Sequence, residues 1–535
     1  MIAPSIFNDV LGPVMPGPSS SHTAGSFHIG RLARSLLGLQ PERVLVRFDS
    51  AGSYARVFRA QSSDVAFAAG LLGWALSDRR FPRALAEASR RGIQIAFRVG
   101  RLERADHPNF VRLDLSAKSG EILAVEAKST GGGAVGITRV GPWKVELNGK
   151  SHVILIEVDG RSVRRLTALL IRDLGPKLRP AWSAADGRSL AVIRSADPLP
   201  PPLLRKILVL DGLISFRLAE PVFFIERGTP LFTSAADIIR LSRKKTVTLG
   251  ELGLAYESRL LALSREAALA EMLARYKVMR LAVDRGLSGK GLRMKLLRPS
   301  AGLVLNAERL GRVAVGGIHT RTAARALAAM HVSTSGGTVC AAPTGGSAGV
   351  LAAVAATLNM ELGLDLEHTA MALFAAAAVG LIVARRATFA AETAGCQVEI
   401  GAAGAMAAAA AVDAAGGTAL QACDAAAVSF QNTMGSACDL VQGLCEIPCH
   451  TRNAVAASSA FVCADLVLGG YRNPIPLDET VDAVLASGRM LPAELRCTVR
   501  GGLALAPTAR RLGRRTRPPR LRGKKRAASS TAGKR

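Results

Sequence analysis

Apolar residues recur with two different periods along the chain, and the switch between them divides it. Up to about residue 150 the periods mix. "RVLVRFDSAGSYA" begins with strand alternation, "DVAFAAGLLGWAL" has helical spacing, and "GEILAVEAKSTGGGAVGITRV" reads as strand, glycine turn, strand. Residues 1–150 are therefore expected to form a mixed α+β domain. Residues 151–226 are more regular. "SHVILIEVDG" reads as a strand, "RSVRRLTALLIRDLG" as a helix, "KLRPAWSA" and "SLAVIRSA" as strands, "PLPPPLLRKILVLDG" as a helix and "LISFRLAEPV" as a strand. That is the βαββαβ order of a ferredoxin-like regulatory module. The prolines opening its second helix suit a helix N-terminus.

"IERGTPLFTS" then reads as a linker, and from Thr233 the helical period takes over. "SAADIIRLSRK", "TLGELGLAYESRLLALS" and "REAALAEMLARYKVMRLAVDRGLSG" are amphipathic. Beyond Gly337, alanine-rich segments such as "GAAGAMAAAAAVDAAGG" alternate with glycine loops. Small side chains allow close helix packing, so residues 227–508 are expected to form an all-α domain with buried central helices. The longest apolar run, "TAMALFAAAAVGLIVA" (Thr369 to Ala384), is 16 residues and is followed by arginine. A bilayer span takes ~20, so this run predicts a buried core helix and no membrane segment. "MIAPSIFNDV" lacks the charged start and apolar run of a signal peptide. A cytoplasmic protein is expected.

The net charge of +28 changes this picture little, because twelve Lys and Arg lie between Arg510 and Arg535 with no acid among them. Residues 509–535 read as a disordered basic tail, a solvated arm. Aromatic residues make up 4% of the chain, too few for a base-stacking platform, so dedicated nucleic-acid binding by the tail is not expected.

Candidate chemistry sits in loops. In "GPVMPGPSSSHTAG" (Gly12 to Gly25) Pro16, Gly17 and Pro18 predict a rigid loop. Ser19, Ser20, Ser21 and Thr23 offer four hydroxyls beside the His22 imidazole, able to orient a small polar ligand or simply to cap the helix beginning near Ala24. All eight cysteines lie between Cys340 and Cys497, and a disulfide framework is not expected of a cytosolic chain. Cys423 and Cys463 lie in apolar helical runs and read as inert core thiols. Cys396 ("AGCQVEIG"), Cys438 ("GSACDLVQG") and Cys449 ("EIPCHTRN") are glycine-flanked or loop-like. Their spacing does not match compact zinc or ferredoxin runs, which leaves core thiols and a metal site both open. Between Lys295 and Lys524 there is no lysine, so the stretch holding the glycine loops and cysteines cannot supply one for a Schiff base with pyridoxal phosphate; a lysine from the first half could, but none sits in a recognisable pyridoxal motif.

Taken together, "GPVMPGPSSSHTAG", "KVMRLAVDRGL", "AAPTGGSAGV", "GCQVEIGAAGAMAAAA", "CDLVQGLCEIPCHTRNAVAA" and "LPAELRCTVRGGLALAPT" closely resemble the iron–sulfur L-serine dehydratases, or L-serine ammonia-lyases. The resemblance covers nearly all of residues 3–508, as β-type and α-type parts fused near Arg227 to Phe232. It implies a [4Fe-4S] cluster on Cys396, Cys438 and Cys449, with one iron open as a Lewis acid for the substrate hydroxyl, and no pyridoxal phosphate. It implies L-serine as substrate, elimination of water to give pyruvate and ammonia, and a homo-oligomer, a dimer.

By the same resemblance Ser19, Ser20 and Thr23 grip substrate beside a catalytic Ser21 and His22. His22 is the candidate α-proton base, with substrate orientation as its alternative role. Thr344, Gly345 and the free N–H groups of "APTGGSAG" suit the substrate carboxylate. Arg452 and Asn453 either bind substrate or brace the loop. The chain departs from the family pattern at Thr451, where relatives carry an acid, and in the glycine-poor "LLRPSAGLVLNAERL". A related iron–sulfur lyase for another hydroxy or amino acid, and a non-catalytic regulatory paralogue, are the alternative readings.

Overall fold

The computed structural model describes residues 3–175, 180–245 and 247–512. The tail expected to be disordered lies outside the described residues beyond Leu512, as does part of the strand expected at "KLRPAWSA". Where the sequence predicts a loop after Gly12, a short strand β1 (Val14–Pro16) forms, followed by a tight helical turn, Ser20–Ala24, and the helix Gly25–Leu37. The departure has a tertiary cause. β1 pairs antiparallel with a segment more than 300 residues away, Val14 opposite Cys340, and three-residue strands carry no readable period.

The sheet-rich half then runs β2 (Pro41–Asp49), β3 (Gln94–Gly100), β4 (Phe110–Ala117), β5 (Ile122–Gly131), β6 (Ala134–Val140) and β7 (Trp143–Leu147). They form one sheet in the order β3-β2-β4-β5-β6-β7, antiparallel except for β2 and β3. Alternation decides which face is buried. In β4, Val111, Leu113 and Leu115 point into the core while Arg112, Asp114 and Ser116 stay partly exposed. The helices Gly25–Leu37 and Ser63–Leu71 bury Ile29, Leu32, Leu36 and Phe67 in the same core.

Next come β8 (His152–Asp159), β9 (Ala181–Ala185), β10 (Arg188–Ser195) and β11 (Leu213–Ala219), an antiparallel sheet in the order β11-β8-β10-β9. Helices Val163–Leu174 and Pro201–Leu208 follow β8 and β10 and cover one face through Leu166, Leu170, Leu203 and Ile207. The opposite face, including Val153, Leu155, Leu190 and Val192, joins the core of the six-stranded sheet.

From Ala235 onward the chain is helical, interrupted among the described residues by three short strands, β12 (Thr338–Cys340), β13 (Cys438–Asp439) and β14 (Arg496–Thr498). β13 and β14 pair parallel. The helix Ile400–Ala414 is buried at every position from Ile400 to Val412, which its alanines permit because neighbouring helices can approach its backbone. The helix Leu366–Arg386 is long and apolar enough to cross a membrane by length and composition, but 78% of its most apolar window is buried inside the protein. The two halves interpenetrate. Ile6, Phe7 and Val10 belong to the core of the helical half, and Phe7 packs 6.1 Å from Phe374. The fully buried Glu257 accepts hydrogen bonds from Ser5 Oγ (2.5 Å), Ile6 N (2.8 Å) and Phe7 N (2.9 Å).

Candidate active site

Three loops of the helical half bring cysteines together. Gly395 holds φ at +75° with Ser436 O only 2.6 Å from where a Cβ would stand, a position open to glycine alone. Cys396 then donates its N–H to Ser436 O at 2.8 Å. Cys438 sits in β13 beside β14, which carries Cys497. Cys449 opens the helix Cys449–Leu468. All eight cysteines are buried free thiols. Cys396 Sγ, Cys438 Sγ and a carboxylate oxygen of Glu399 lie within 4.8 Å of one another, and Cys449 lies close enough to influence Cys396 electrostatically.

The electrostatics of these thiols are unusual. Contact with Cys438, burial and the negative groups nearby push Cys396 well above the ordinary thiol range. Cys438 is held down by Cys396, but contact with Cys497 and burial outweigh that and push it well above. Cys497, held down by Cys438 yet raised by burial, reaches about 12. It adopts φ +58°, a conformation that costs a non-glycine residue roughly 1–3 kcal/mol. Cys445 is raised by contact with Cys449 and by burial. Cys423 and Cys463 are buried within helices, as expected. Arg452 stands close enough to Cys396 and Cys449 for their charges to act on it, and it anchors on Ala437 O (2.6 Å) and Asp439 Oδ1 (3.1 Å).

The serine loop closes over the same region. Ser19 caps the turn by accepting the His22 N–H at 3.2 Å. His22 is completely buried. Its Nδ1 lies 3.2 Å from Ser19 Oγ and 3.5 Å from Glu392 Oε1, and its Nε2 lies 3.2 Å from Ser53 Oγ. Ser53 in turn reaches Cys497 O at 3.5 Å. Burial lowers the basicity of His22, and the Glu392 charge opposes that. The second carboxylate oxygen of Glu392 is buried with no hydrogen-bond partner. Ser20 Oγ accepts the Gly345 N–H at 3.2 Å, Ser21 O meets the Tyr54 hydroxyl at 3.4 Å, and Thr23 Oγ1 donates to Gln61 O at 2.9 Å. Thr23 thus ties the loop to its own half.

The "APTGGSAG" loop lies between these two groups. Thr344 caps the turn Gly345–Ser347 by accepting the Ser347 N–H at 3.1 Å, and its hydroxyl donates to Glu399 Oε1 at 2.6 Å. Burial pushes Glu399 up to about 7 despite that hydrogen bond. A Cβ on Gly345 would stand 3.0 Å from Pro18 O and from Ser20 N, so its glycine lets the two loops touch. Asn453 donates to Gly346 O (2.8 Å) and Cys449 O (2.9 Å) and accepts from Gly349 N (3.1 Å). These bonds tie Asn453 to the loop and to the start of the Cys449–Leu468 helix. Glu392, Glu399, Ser53 and Tyr54 were not among the sequence candidates. The two acids had a readable signal: they are the only charged residues between Ala387 and Val412.

Residues 232–504 match the family model described as serine dehydratase alpha chain. The chain is 36% identical to the probable L-serine dehydratase alpha chain of Bacillus subtilis over 282 residues, 53% of this chain and 94% of that one. It is 43% identical to the probable L-serine dehydratase beta chain of the same organism over 152 residues, 28% of this chain and 67% of that one. L-serine dehydratase 2 of Escherichia coli is 32% identical over 286 residues, 51% of this chain and 61% of that protein.

Proposed function

The chain belongs to the L-serine dehydratase family, and we propose that it converts L-serine to pyruvate and ammonia, with the β-type and α-type parts fused in one polypeptide. The observation that carries this reading is the meeting of His22 and Glu392 with the cysteine group around Cys396, from opposite halves of the chain.

The donor set fits a [4Fe-4S] cluster. Buried thiols are driven toward their neutral form by their surroundings, so crowding Cys396 and Cys438 against Glu399 makes physical sense around a cationic group that stabilises thiolates. Cys396, Cys438 and Cys449 are the residues that would hold it. When bound, such a cluster supplies a Lewis-acid position for a hydroxyl leaving group.

The chain's own residues would do the rest. The Gly345 N–H, now donated to Ser20 Oγ, and the Thr344 hydroxyl, now donated to Glu399, would turn from those partners to the substrate carboxylate. Glu392 Oε2, buried and unpartnered, is suited to the α-ammonium. His22 takes the α-proton, with Glu392 and Ser53 fixing its ring, and Ser21 lies in the same turn. Loss of the α-proton and the β-hydroxide leaves 2-aminoacrylate, which tautomerises to the imine and hydrolyses to pyruvate and ammonia. Arg452 is held on Ala437 and Asp439 and reads as a positioning residue for Cys396.

We read residues 1–150 as the β-type domain, 151–226 as a ferredoxin-like module by its strand order, 227–508 as the α-type domain, and the protein as a cytoplasmic homo-oligomer. The test is anaerobic reconstitution with iron and sulfide followed by an assay of the 2-oxo acid released, pyruvate from L-serine or L-cysteine and 2-oxobutyrate from L-threonine. Iron-dependent pyruvate release from L-serine is expected. Full activity after iron is stripped by chelation overturns the reading.

A further inference from the structure

We propose that Glu446 is a positioning residue for the cysteine group, a role that depends on Cys449 being one of the cluster residues proposed above. By gripping the backbone of Lys295, Leu296 and Leu297, its carboxylate holds the segment that ends in Cys449 in the shape that presents this thiol to a cluster.

In "CEIPC" a carboxylate stands between two cysteines, three residues before Cys449. The position is 2% exposed, where an unpaired charge is strongly destabilising. Three backbone donors offset that cost. Glu446 Oε1 accepts the Lys295 N–H at 2.8 Å, and Oε2 accepts the Leu296 and Leu297 N–H groups at 2.7 and 2.8 Å. Hydrogen bonds to an ionised acceptor are roughly twice as strong as neutral ones. The donors lie in the connection between the helices Arg265–Ser288 and Ala301–Arg309, 149 to 151 residues away along the chain.

The rest of the cysteine segment is held less firmly. Gln442 Nε2 donates to Ala509 O at 3.0 Å, and Gln61 Nε2 reaches Gly443 O at 3.4 Å. Both bonds are neutral and lie in the first half of the segment. From Leu444 to Pro448, among the described residues, the hydrogen bonds that leave the segment and the helix it opens are the three of Glu446. Its main-chain oxygen accepts the His450 N–H at 3.1 Å, which ties the same residue to the first turn of the helix Cys449–Leu468. A shift of the carboxylate is therefore passed to Cys449 within one turn. Cys396, fixed by Ser436 O on another segment, does not feel it. Partners that orient a metal ligand from behind set how firmly the metal is kept.

The test compares the full chain with Glu446→Gln, whose amide turns an NH₂ group toward at least one of the three donors. After anaerobic reconstitution, the variant should release iron to a chelator on the order of tenfold faster than wild type. Glu446→Asp, charged but one methylene shorter, should fall between them. In the iron-free proteins, iodoacetamide followed by peptide mass spectrometry should label Cys449 faster in Glu446→Gln, with Cys396 unchanged. Ser335→Ala frees Arg293 N of the same connection, now held at 3.1 Å, and should alter neither readout. Labelling of Cys449 at the wild-type rate in Glu446→Gln overturns the proposal. So does faster labelling of Cys396 and Cys449 alike, the mark of general loosening, or an equal effect of Ser335→Ala, which would leave Glu446 a loop anchor only. A wild-type chain that takes up no iron overturns the cluster reading, while the labelling still decides whether Glu446 places Cys449.

Discussion

His22 Nδ1 lies 3.5 Å from Glu392 Oε1, both side chains buried, one from the sheet-rich half and the other from the helical half. With Ser53 on the opposite ring nitrogen, the imidazole is clamped at both ends, and the clamp closes only when the two halves are docked. If His22 is the proton acceptor, His22→Ala should lower kcat for L-serine by 10²–10⁴-fold, the usual range for a general base. Glu392→Gln keeps the shape but removes the charge that sustains the basicity of His22. Its loss should be smaller, on the order of 10–100-fold, and should be accompanied by a shifted pH profile of kcat/KM, which a merely structural role would not produce.

The cysteines divide into two classes that differ in one measurement. Cys396→Ala, Cys438→Ala and Cys449→Ala should each lose bound iron and the broad visible absorption after anaerobic reconstitution. Cys423→Ala and Cys463→Ala, from helix interiors, should keep both, because the groups that act on their thiols are Asp424, Asp478 and Ser429 and not the other cysteines. Equal iron content in all five variants would mean that the cysteine group holds no cluster.

Much of this site was readable beforehand, and what was not readable has a common cause. Cys396, Cys438, Cys449 and the serine loop stand in glycine-flanked or polar-rich sequence, which alone left blander readings open; the family resemblance singled them out. Glu392 and Glu399 were missed, although they stand as two lone charges in a long apolar stretch. Ser53 carries no such mark: it reaches His22 across 31 residues and Cys497 across 444, and only tertiary packing creates those contacts. The strands β1, β13 and β14 were missed for the same reason, since two or three residues are too few to show a period. By contrast β8, β10 and β11 run for seven or eight mostly apolar residues and were placed within a few residues of their ends.

Close approach of the two loops makes a separate prediction. The Cβ of Gly345→Ala would sit 3.0 Å from backbone atoms of Pro18 and Ser20, so the serine loop and the "APTGGSAG" loop must move apart by a few tenths of an ångström. The cysteines are on other segments. KM for L-serine should therefore rise, by roughly tenfold if one charge-assisted contact to the carboxylate is lost, while iron content stays at the wild-type level. Measuring both on the same preparation separates a substrate-loop defect from a cluster defect.

The docking of the first residues is pH-sensitive through Glu257. Burial raises this carboxyl from its usual 4.5 to about 7, although Phe7 N, Ser5 Oγ and Ile6 N donate to it and oppose the rise. A carboxyl whose folded pKa lies above its unfolded value binds its proton more tightly when folded. Its contribution to docking is therefore complete below about 4.5 and is lost as pH rises through about 7. The size of the shift corresponds to a change on the order of 10²-fold in the opening equilibrium. Amide exchange of residues 5–11, corrected for its intrinsic pH dependence, should show protection falling by about that factor between pH ~4.5 and ~8. Glu257→Gln cannot titrate and should show a flat profile, since its amide can still accept from Ser5 or a backbone N–H. A wild-type profile as flat as the glutamine variant's would place the titration elsewhere and leave Glu257 as a permanently charged anchor.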